Sequence, residues 1–442
     1  MPELCLDQSS PAATRRTLWR QRDFLLLWSG QSISEFGSAV TKLALPLTAV
    51  VVLKASAFQV GLLSAATTVA FIVVALPAGV VVSRWAKRRL MLGCDAGRML
   101  VIGSVPLAAA FGLLKLPQLY IAAVLTGLLS VFFDIAYQSY LPLLIDRDQL
   151  MDGNGKLTTS YQLAKVGGPG LGGALVGVLG AAGAMAVDAI SFAFSAWSLL
   201  LIRAPEPRVS RSFDGSPRPA MLSQIKAGLG FLFRHPILRN IVACSGLVNL
   251  FLSVIVAVQI VFLIRVLQVS PAYTGLLLTS ATLCGGLGGL AAGRLTRWVG
   301  SARIIWTSML VFGATGLLIP LAEPGWRVIL FACGWGGTTV GIVIYNVAQV
   351  SYRQATCSPQ ILSQVNATAR WIVTGAQPVG GVLGGVLGAT IGVRGALWVA
   401  AAGAWAAGLL LFFSPLRKMR DVPDTSPPDH QAGDPEARRG DE

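Results

Sequence analysis

The chain has 442 residues, 54% of them hydrophobic and only 12% charged, with a mean hydropathy of +0.66. A soluble domain carries about 25% charged residues, so a soluble globular fold is excluded. The net charge of +15 does not point to nucleic acid, because the basic residues sit in loops between apolar runs, which is an orientation signal. Six cysteines without paired spacing and only two histidines, His235 and His430, predict no disulfide framework, no metal site and no cofactor.

Residues 1–23 are polar and basic, with Arg15, Arg16, Arg20 and Arg22. They lack the short apolar core of a cleavable signal peptide and are expected to be cytoplasmic. Twelve membrane-length apolar runs follow, at approximately 24–53, 58–82, 91–113, 118–143, 157–180, 182–202, 239–264, 272–295, 303–321, 326–350, 362–388 and 394–414. The expected organisation is an all-α polytopic membrane protein with twelve transmembrane helices in two pseudo-symmetric six-helix bundles. One bundle covers 24–203 and the other 239–415; a central cytoplasmic loop covers 204–238 and a disordered cytoplasmic tail 416–442. With both termini cytoplasmic, inner segments hold 26 of the 35 basic residues and outer loops five, Lys54, Lys115, Arg265, Arg327 and Arg394. The positive-inside rule therefore places both ends in the cytoplasm of a cell (inner) membrane.

The halves repeat. FFDIAYQSY, with Asp134, Ala136, Ser139 and Tyr140, recurs as IYNVAQVSY, with Asn346, Ala348, Ser351 and Tyr352, at an offset of 212 residues. Pro169 with Gly172 matches Pro378 with Gly381 at an offset of 209, and Gly79 to Arg89 echoes Gly293 to Arg303 at 214. Parallel duplication of six spans predicts a substrate site near the midplane, between two halves that rock.

Three stretches carry a family resemblance. Gly79-Val-Val-Val-Ser83-Arg84-Trp-Ala-Lys87-Arg88-Arg89 resembles the G-x-x-x-D-R-x-x-R-R motif between helices 2 and 3 of the major facilitator superfamily. Gly168-Pro169-Gly170-Leu171-Gly172-Gly173 in helix 5 resembles the G-P-x-x-G-G motif of drug/proton antiporters. ALPLTAV (44–50) follows an acidic residue in helix 1, and LPLLIDRDQLMDGNGKL and VDAISFAFS add to the match. Together these resemble the drug/proton antiporter branch with macrolide-efflux and siderophore-export proteins. The resemblance implies a cytoplasmic gating loop at Gly79, Arg84, Lys87 and Arg88, and an antiporter motif at Gly168, Pro169, Gly172 and Gly173. Ser83 stands where the motif has aspartate, so the loop lacks its usual anion; its bases are left to bond helix C-terminal carbonyls or anionic lipid. The glycines also have a plainer reading, close packing between helices.

Charges within apolar runs cost roughly 2.5–3.5 kcal/mol each on insertion scales. Four acids, Glu35, Asp95, Asp134 and Asp188, are matched there by Lys42, Arg98, Lys165 and Arg370. Glu35 is roughly 16 Å and Asp134 about 13 Å from the inner ends of their helices, and these two are the proton-coupling candidates. Lys42 and Lys165 are their charge partners, since a nearby cation competes with a carboxyl's proton. The alternatives are structural: a helix-holding ion network around Glu35, and an ion pair of Asp134 with Lys165. Asp95 and Arg98, one turn apart near the inner end of helix 3, suit a local ion pair; Asp188 reads as interfacial. Asn346 and Trp371, with Trp335 and Tyr345, are candidates for the wall of a cavity for a bulky amphipathic ligand.

These readings combine into a secondary active transporter that exports a lipophilic or amphipathic small molecule in exchange for protons, with membrane lipids around it, acting as a monomer. One proton entering down 100 mV releases about 2.3 kcal/mol, enough for roughly a fifty-fold gradient of a neutral substrate. Uptake by symport or facilitation, and a non-transporting sensor or scaffold, are the alternatives. An enzyme is not expected, as no nucleophile–base set or phosphate loop is present, and neither is direct use of ATP.

Overall fold

A computed structural model describes residues 18–146, 149–204, 230, 232, 234–357 and 359–421, apart from a number of side chains, mostly in the second and eleventh helices. Most of the expected central loop and tail falls outside these residues. The fold is all-helical among the described residues: α1 Arg22–Leu47, α2 Ala57–Arg84, α3 Lys87–Ala110 and α4 Leu116–Leu144. The helical run Leu150–Leu201 breaks at Gly180 (φ 75°, ψ 165°), so α5 covers 150–179 and α6 covers 181–201. Then come α7 Pro236–Val261, α8 Pro271–Val299 and α9, which spans Arg303–Leu321. Last are α10 Ile329–Thr356, α11 Pro359–Thr390 and α12 Gly392–Phe412. Ten helices among the described residues are long and apolar enough to cross a membrane; one of them, Asp152–Leu201, contains both α5 and α6.

The chain divides into two compact units, Met1–Asp214 with Leu263–Thr279, and Gly215–Phe262 with Ser280–Glu442. In the first, α1 packs chiefly on α5 and α6, and α3 on α4 and α6; in the second, α7 packs on α11 and α12, and α9 on α10. Each unit has its own apolar core at one end of its helices, around Phe24, Phe133 and Tyr140 in the first and Ile241, Tyr345 and Tyr352 in the second.

Backbone geometry repeats along with sequence. α1 ends in a π-turn, Thr48–Val52, and α7 ends in another, Phe262–Val266, 214 residues later. Six of the seven positive-φ residues among those described fall in matched pairs, Lys54 with Gln268, Gly112 with Gly325, and Gly180 with Gly392; Gly300 has no counterpart. Such φ values are uncommon for residues with a Cβ, so the recurrence of Lys54 and Gln268 (φ 49° and 55°) marks the same turn built twice. The repeated nonapeptide behaves alike in α4 and α10. Tyr140 and Tyr352 are both buried, and Ser139 and Ser351 donate to the carbonyls four residues back, Ile135 at 2.9 Å and Val347 at 3.0 Å.

One register in the sequence reading is corrected. A Cβ at Gly172 would lie 3.3 Å from Val40 Cα, and one at Gly384 would lie 3.0 Å from Val254 Cα; Gly168 abuts Ala39 as Gly380 abuts Ser253. Val40 and Val254, like Ala39 and Ser253, are 214 apart, so Gly168 and Gly172 are equivalent to Gly380 and Gly384 at an offset of 212. The pairing of Pro169 with Pro378 matched composition one turn out of place. What the two helices share is the pair of glycines that admits a neighbouring backbone.

Candidate ion-coupling site in the first unit

The seam between α1 and α6 is built by two complementary stripes of small residues. On α1, Gly30, Ser34, Gly37 and Thr41 are all buried; on α6, so are Asp188, Ser191, Ser195 and Ser198. Spacings of three and four keep each set on one helix face. A Cβ at Gly30 would lie 3.3 Å from Ser195 Cα, and one at Gly37 would lie 2.8 Å from Ser191 Cβ. The absence of side chains on α1 is what lets α6 bring a carboxyl alongside it. Asp188 is 1% exposed, with Ser191 Oγ donating to its Oδ1 at 3.1 Å. The expectation that Asp188 is interfacial concerned depth alone and did not foresee this enclosure. Distance along the helix suggested the membrane surface, whereas its direction around the helix turns it into the seam.

A second buried charge lies beside it. Asp95 and Arg98 of α3 form an ion pair and are 0% and 5% exposed. Arg98 Nη1 is 3.4 Å from Ser130 Oγ of α4, and its Cζ sits 4.3 Å and 4.4 Å from the ring centroids of Phe133 and Phe192. Two aromatic faces and a carboxylate thus hold the guanidinium, an arrangement in which cation–π attraction is strengthened by the loss of water. α3 begins at Lys87 rather than at residue 91, which sets this pair one turn deeper in the helix than the apolar run suggested.

Glu35 is half-buried on α1 and accepts from Gln31 Nε2 at 2.9 Å. Lys42 and Arg98 are the cations whose fields act on it. No ion pair joins Glu35 to Lys42 among the described residues; Lys42 is exposed. Tyr137 of α4 lies in the fields of both Glu35 and Asp134. Asp134 and Lys165 are both exposed. Sequence reasoning missed Tyr137, Thr41 and the serines of α6. The 188–191–195–198 spacing was the signal that could have found the serines.

The loop motif resolves in part. Gly79, Ser83 and Arg84 lie on α2, with Ser83 and Arg84 side chains outside the described residues. Lys87 is the first residue of α3. Arg88 donates from Nε to Leu199 O at 2.8 Å and from Nη2 to Leu200 O at 2.7 Å. It thus satisfies two of the carbonyls that the C-terminal end of α6 leaves unpaired, where a cation also meets the negative end of the helix dipole. Asp23 secures the same end, accepting from the backbone N–H groups of Arg203 and Ala204 at 3.3 Å and 2.9 Å. In the helix 5 motif, Gly168 and Gly172 pack on α1, while a Cβ at Gly173 would lie 2.9 Å from Gly275 Cα in the first turns of α8.

In the second unit Asn346 is exposed and accepts from Gln349 Nε2 at 3.5 Å, and Trp371 is half-exposed. Tyr345 does not line a cavity. It is buried, shares a 2.7 Å hydrogen bond with Ser245 Oγ, and donates to Ile241 O at 2.9 Å, tying α10 to α7.

Comparison with known proteins agrees with this architecture. A family model described as a transmembrane secretion effector matches residues 14–438. The multidrug efflux pump Tap of Mycolicibacterium fortuitum is 26% identical over 367 residues, covering 79% of this chain and 85% of Tap. The enterobactin exporter EntS of Escherichia coli is 28% identical over 386 residues, covering 83% of this chain and 86% of EntS. Among solved structures, the nucleoside transporter NupG superposes with a TM-score of 0.69 at 11% identity, covering 90% of this chain and 100% of NupG. At that identity the likeness speaks for the fold.

Proposed function

This chain belongs to the major facilitator superfamily, in its transmembrane secretion effector family, whose relatives are membrane transporters of small molecules and not enzymes; we propose that it exports a lipophilic or amphipathic compound by proton antiport. The observation that carries the reading is Glu35. It is a half-buried carboxyl in the middle of a membrane-spanning helix, within the fields of Lys42 and Arg98. A carboxyl so placed, without a fixed ion pair, can exchange a proton whenever a passing ligand or a change of solvent access alters its surroundings. Export, rather than uptake, is favoured by the two relatives named for efflux and export. The substrate class extends from drug- or antibiotic-like to siderophore-like compounds, consistent with a charge-balanced set of membrane acids and bases.

In this reading the protein sits in the bacterial cytoplasmic membrane with both termini inside, works as a monomer, and alternates access between its halves. Gly79, Arg84, Lys87 and Arg88 form its cytoplasmic gate, and Asn346 and Trp371 contribute to the substrate wall. Uptake by symport or facilitation is the alternative reading of the same fold. Everted vesicles test both points, with erythromycin and a neutral lipophilic dye as probes. A pH step, acid inside, should drive accumulation in the wild type, and Glu35→Gln should abolish it. Accumulation by Glu35→Gln equal to wild type would overturn the coupling role, and a requirement for the opposite gradient would reverse the direction.

A further inference from the structure

Asp188 has no part in the mechanism just proposed, yet it is the most deeply enclosed carboxyl of the α1–α6 seam. Its Oδ1 is held by Ser191, while its Oδ2 and the facing Thr41 Oγ1 both lack a hydrogen bond, and both atoms are buried. The groups that face it are Thr41 and Lys42 from α1, Ser191 from its own helix, and Arg98 from α3, whose own counter-ion is Asp95. No basic atom lies within 4 Å of Asp188 among the described residues. An ionised carboxylate out of water needs either a cation or a full set of donors, and the only side-chain donors the described residues turn toward this one are two hydroxyls, those of Ser191 and Thr41. Thr41 Oγ1 suits both protonation states: its O–H can donate to an ionised Oδ2, and a proton on Oδ2 can be donated back to Thr41 Oγ1, so the same two atoms can pair whether the carboxyl is loaded or empty.

We propose that Asp188 is a second proton-carrying carboxyl of the first unit, lying across α1 from Glu35 and exchanging its proton when the α1–α6 seam changes. Thr41 and Glu35 belong to the same helix, six residues apart. Movement or rotation of α1 that alters the surroundings of Glu35 therefore also carries the Thr41 hydroxyl toward or away from Asp188. The two acids would be loaded and emptied by one helix. The chemistry is protonation of a carboxylate by water-borne protons, with no other reactant.

The proposal rests on the antiport reading but is tested apart from it, by infrared spectroscopy of the purified full chain in lipid nanodiscs without substrate. Stepping from acid to alkaline pH should remove a protonated-carboxyl C=O band from the wild type. That band should be absent from Asp188→Asn, displaced in Asp188→Glu, displaced in Thr41→Val, and retained in Glu35→Gln. A wild-type spectrum that Asp188→Asn leaves unchanged overturns the proposal. If Asp188→Asn does not fold, a band indifferent to both Asp188→Glu and Thr41→Val overturns it equally. In everted vesicles, Asp188→Asn should carry fewer protons per erythromycin than the wild type. An unchanged ratio sinks the inference while leaving Glu35 in place, whereas pH-independent transport by the wild type sinks the antiport reading itself.

Discussion

The two halves share one scaffold and divide the chemistry unequally. Glu35 of α1 corresponds, at the offset set by the π-turns, to Asn249 of α7; Asp134 of α4 corresponds to Asn346; Asp188 of α6, counted from the Gly180–Gly392 pair, corresponds to Ala400 of α12. The contact that admits Asp188 has its counterpart too. Gly37 lies against Ser191 in the first unit, and Phe251 lies against Gly403 in the second, so the side chain has moved to the opposite helix. Filling the seam from α7 with a phenyl ring leaves no place for a carboxyl on α12. Asn249 donates to Ser245 O at 2.9 Å, keeping a polar group at the Glu35 position but removing its proton. The second unit has a small, largely apolar pocket lined by Val248, Leu252, Met309, Gly316 and Thr338. The lesson is that backbone turns and helix contacts are retained where they define the fold, while the ionisable groups are concentrated in one half.

That contrast can be broken at several points. Arg98→Ala should have the largest effect on stability. It strands Asp95 in a buried site, and breaking a buried pair from one side costs about 3–5 kcal/mol. A thermal shift assay on detergent-solubilised protein should show a large loss, and Asp95→Asn combined with Arg98→Met should recover much of it. Gly37→Ala comes next, since its Cβ would press on Ser191 and Asp188 at an overpacking cost of about 1–3 kcal/mol. Gly37→Ala paired with Ser191→Gly should restore the melting temperature, mimicking the exchange seen at Phe251 and Gly403. Arg88→Ala should cost about 1 kcal/mol through lost helix capping, read as faster hydrogen exchange in the last turn of α6. Smallest of all, Asn249→Ala should leave proton-driven transport of erythromycin within about two-fold of wild type, consistent with a loss of under about 0.5 kcal/mol. A strong coupling defect there would show that the halves share the task.

The spans were legible because hydropathy needs only composition, and the duplication because Asp134–Tyr140 and Asn346–Tyr352 keep their order. Arg88 reached helix carbonyls as its charge and place in the loop suggested. What could not be read was direction around a helix. Asp188 looked interfacial by its position along the chain, although the serines at 191, 195 and 198 repeat on its face. The register of α11 was misjudged because Pro378 resembles Pro169, while the residues that determine packing are Gly380 and Gly384. Lys42 acts on Glu35 through its field without an ion pair among the described residues, a distinction of side-chain reach that sequence spacing alone does not fix.

The break at Gly180 also bears on how the protein is made. α5 and α6 are joined without an intervening loop, and residues 179–184, LGAAGA, carry neither charge nor long polar side chain. In the proposed orientation this turn is what must cross the bilayer during synthesis. The two helices can therefore enter the membrane together as a hairpin, with their backbone groups already paired within each helix and no hydrated segment to drag through hydrocarbon. The equivalent turn at Gly392 is followed by Arg394, whose Nη2 ends on Ala322 O at 2.9 Å. That hairpin has to carry a guanidinium across before it finds its carbonyl, so assembly of the second half should be the slower of the two.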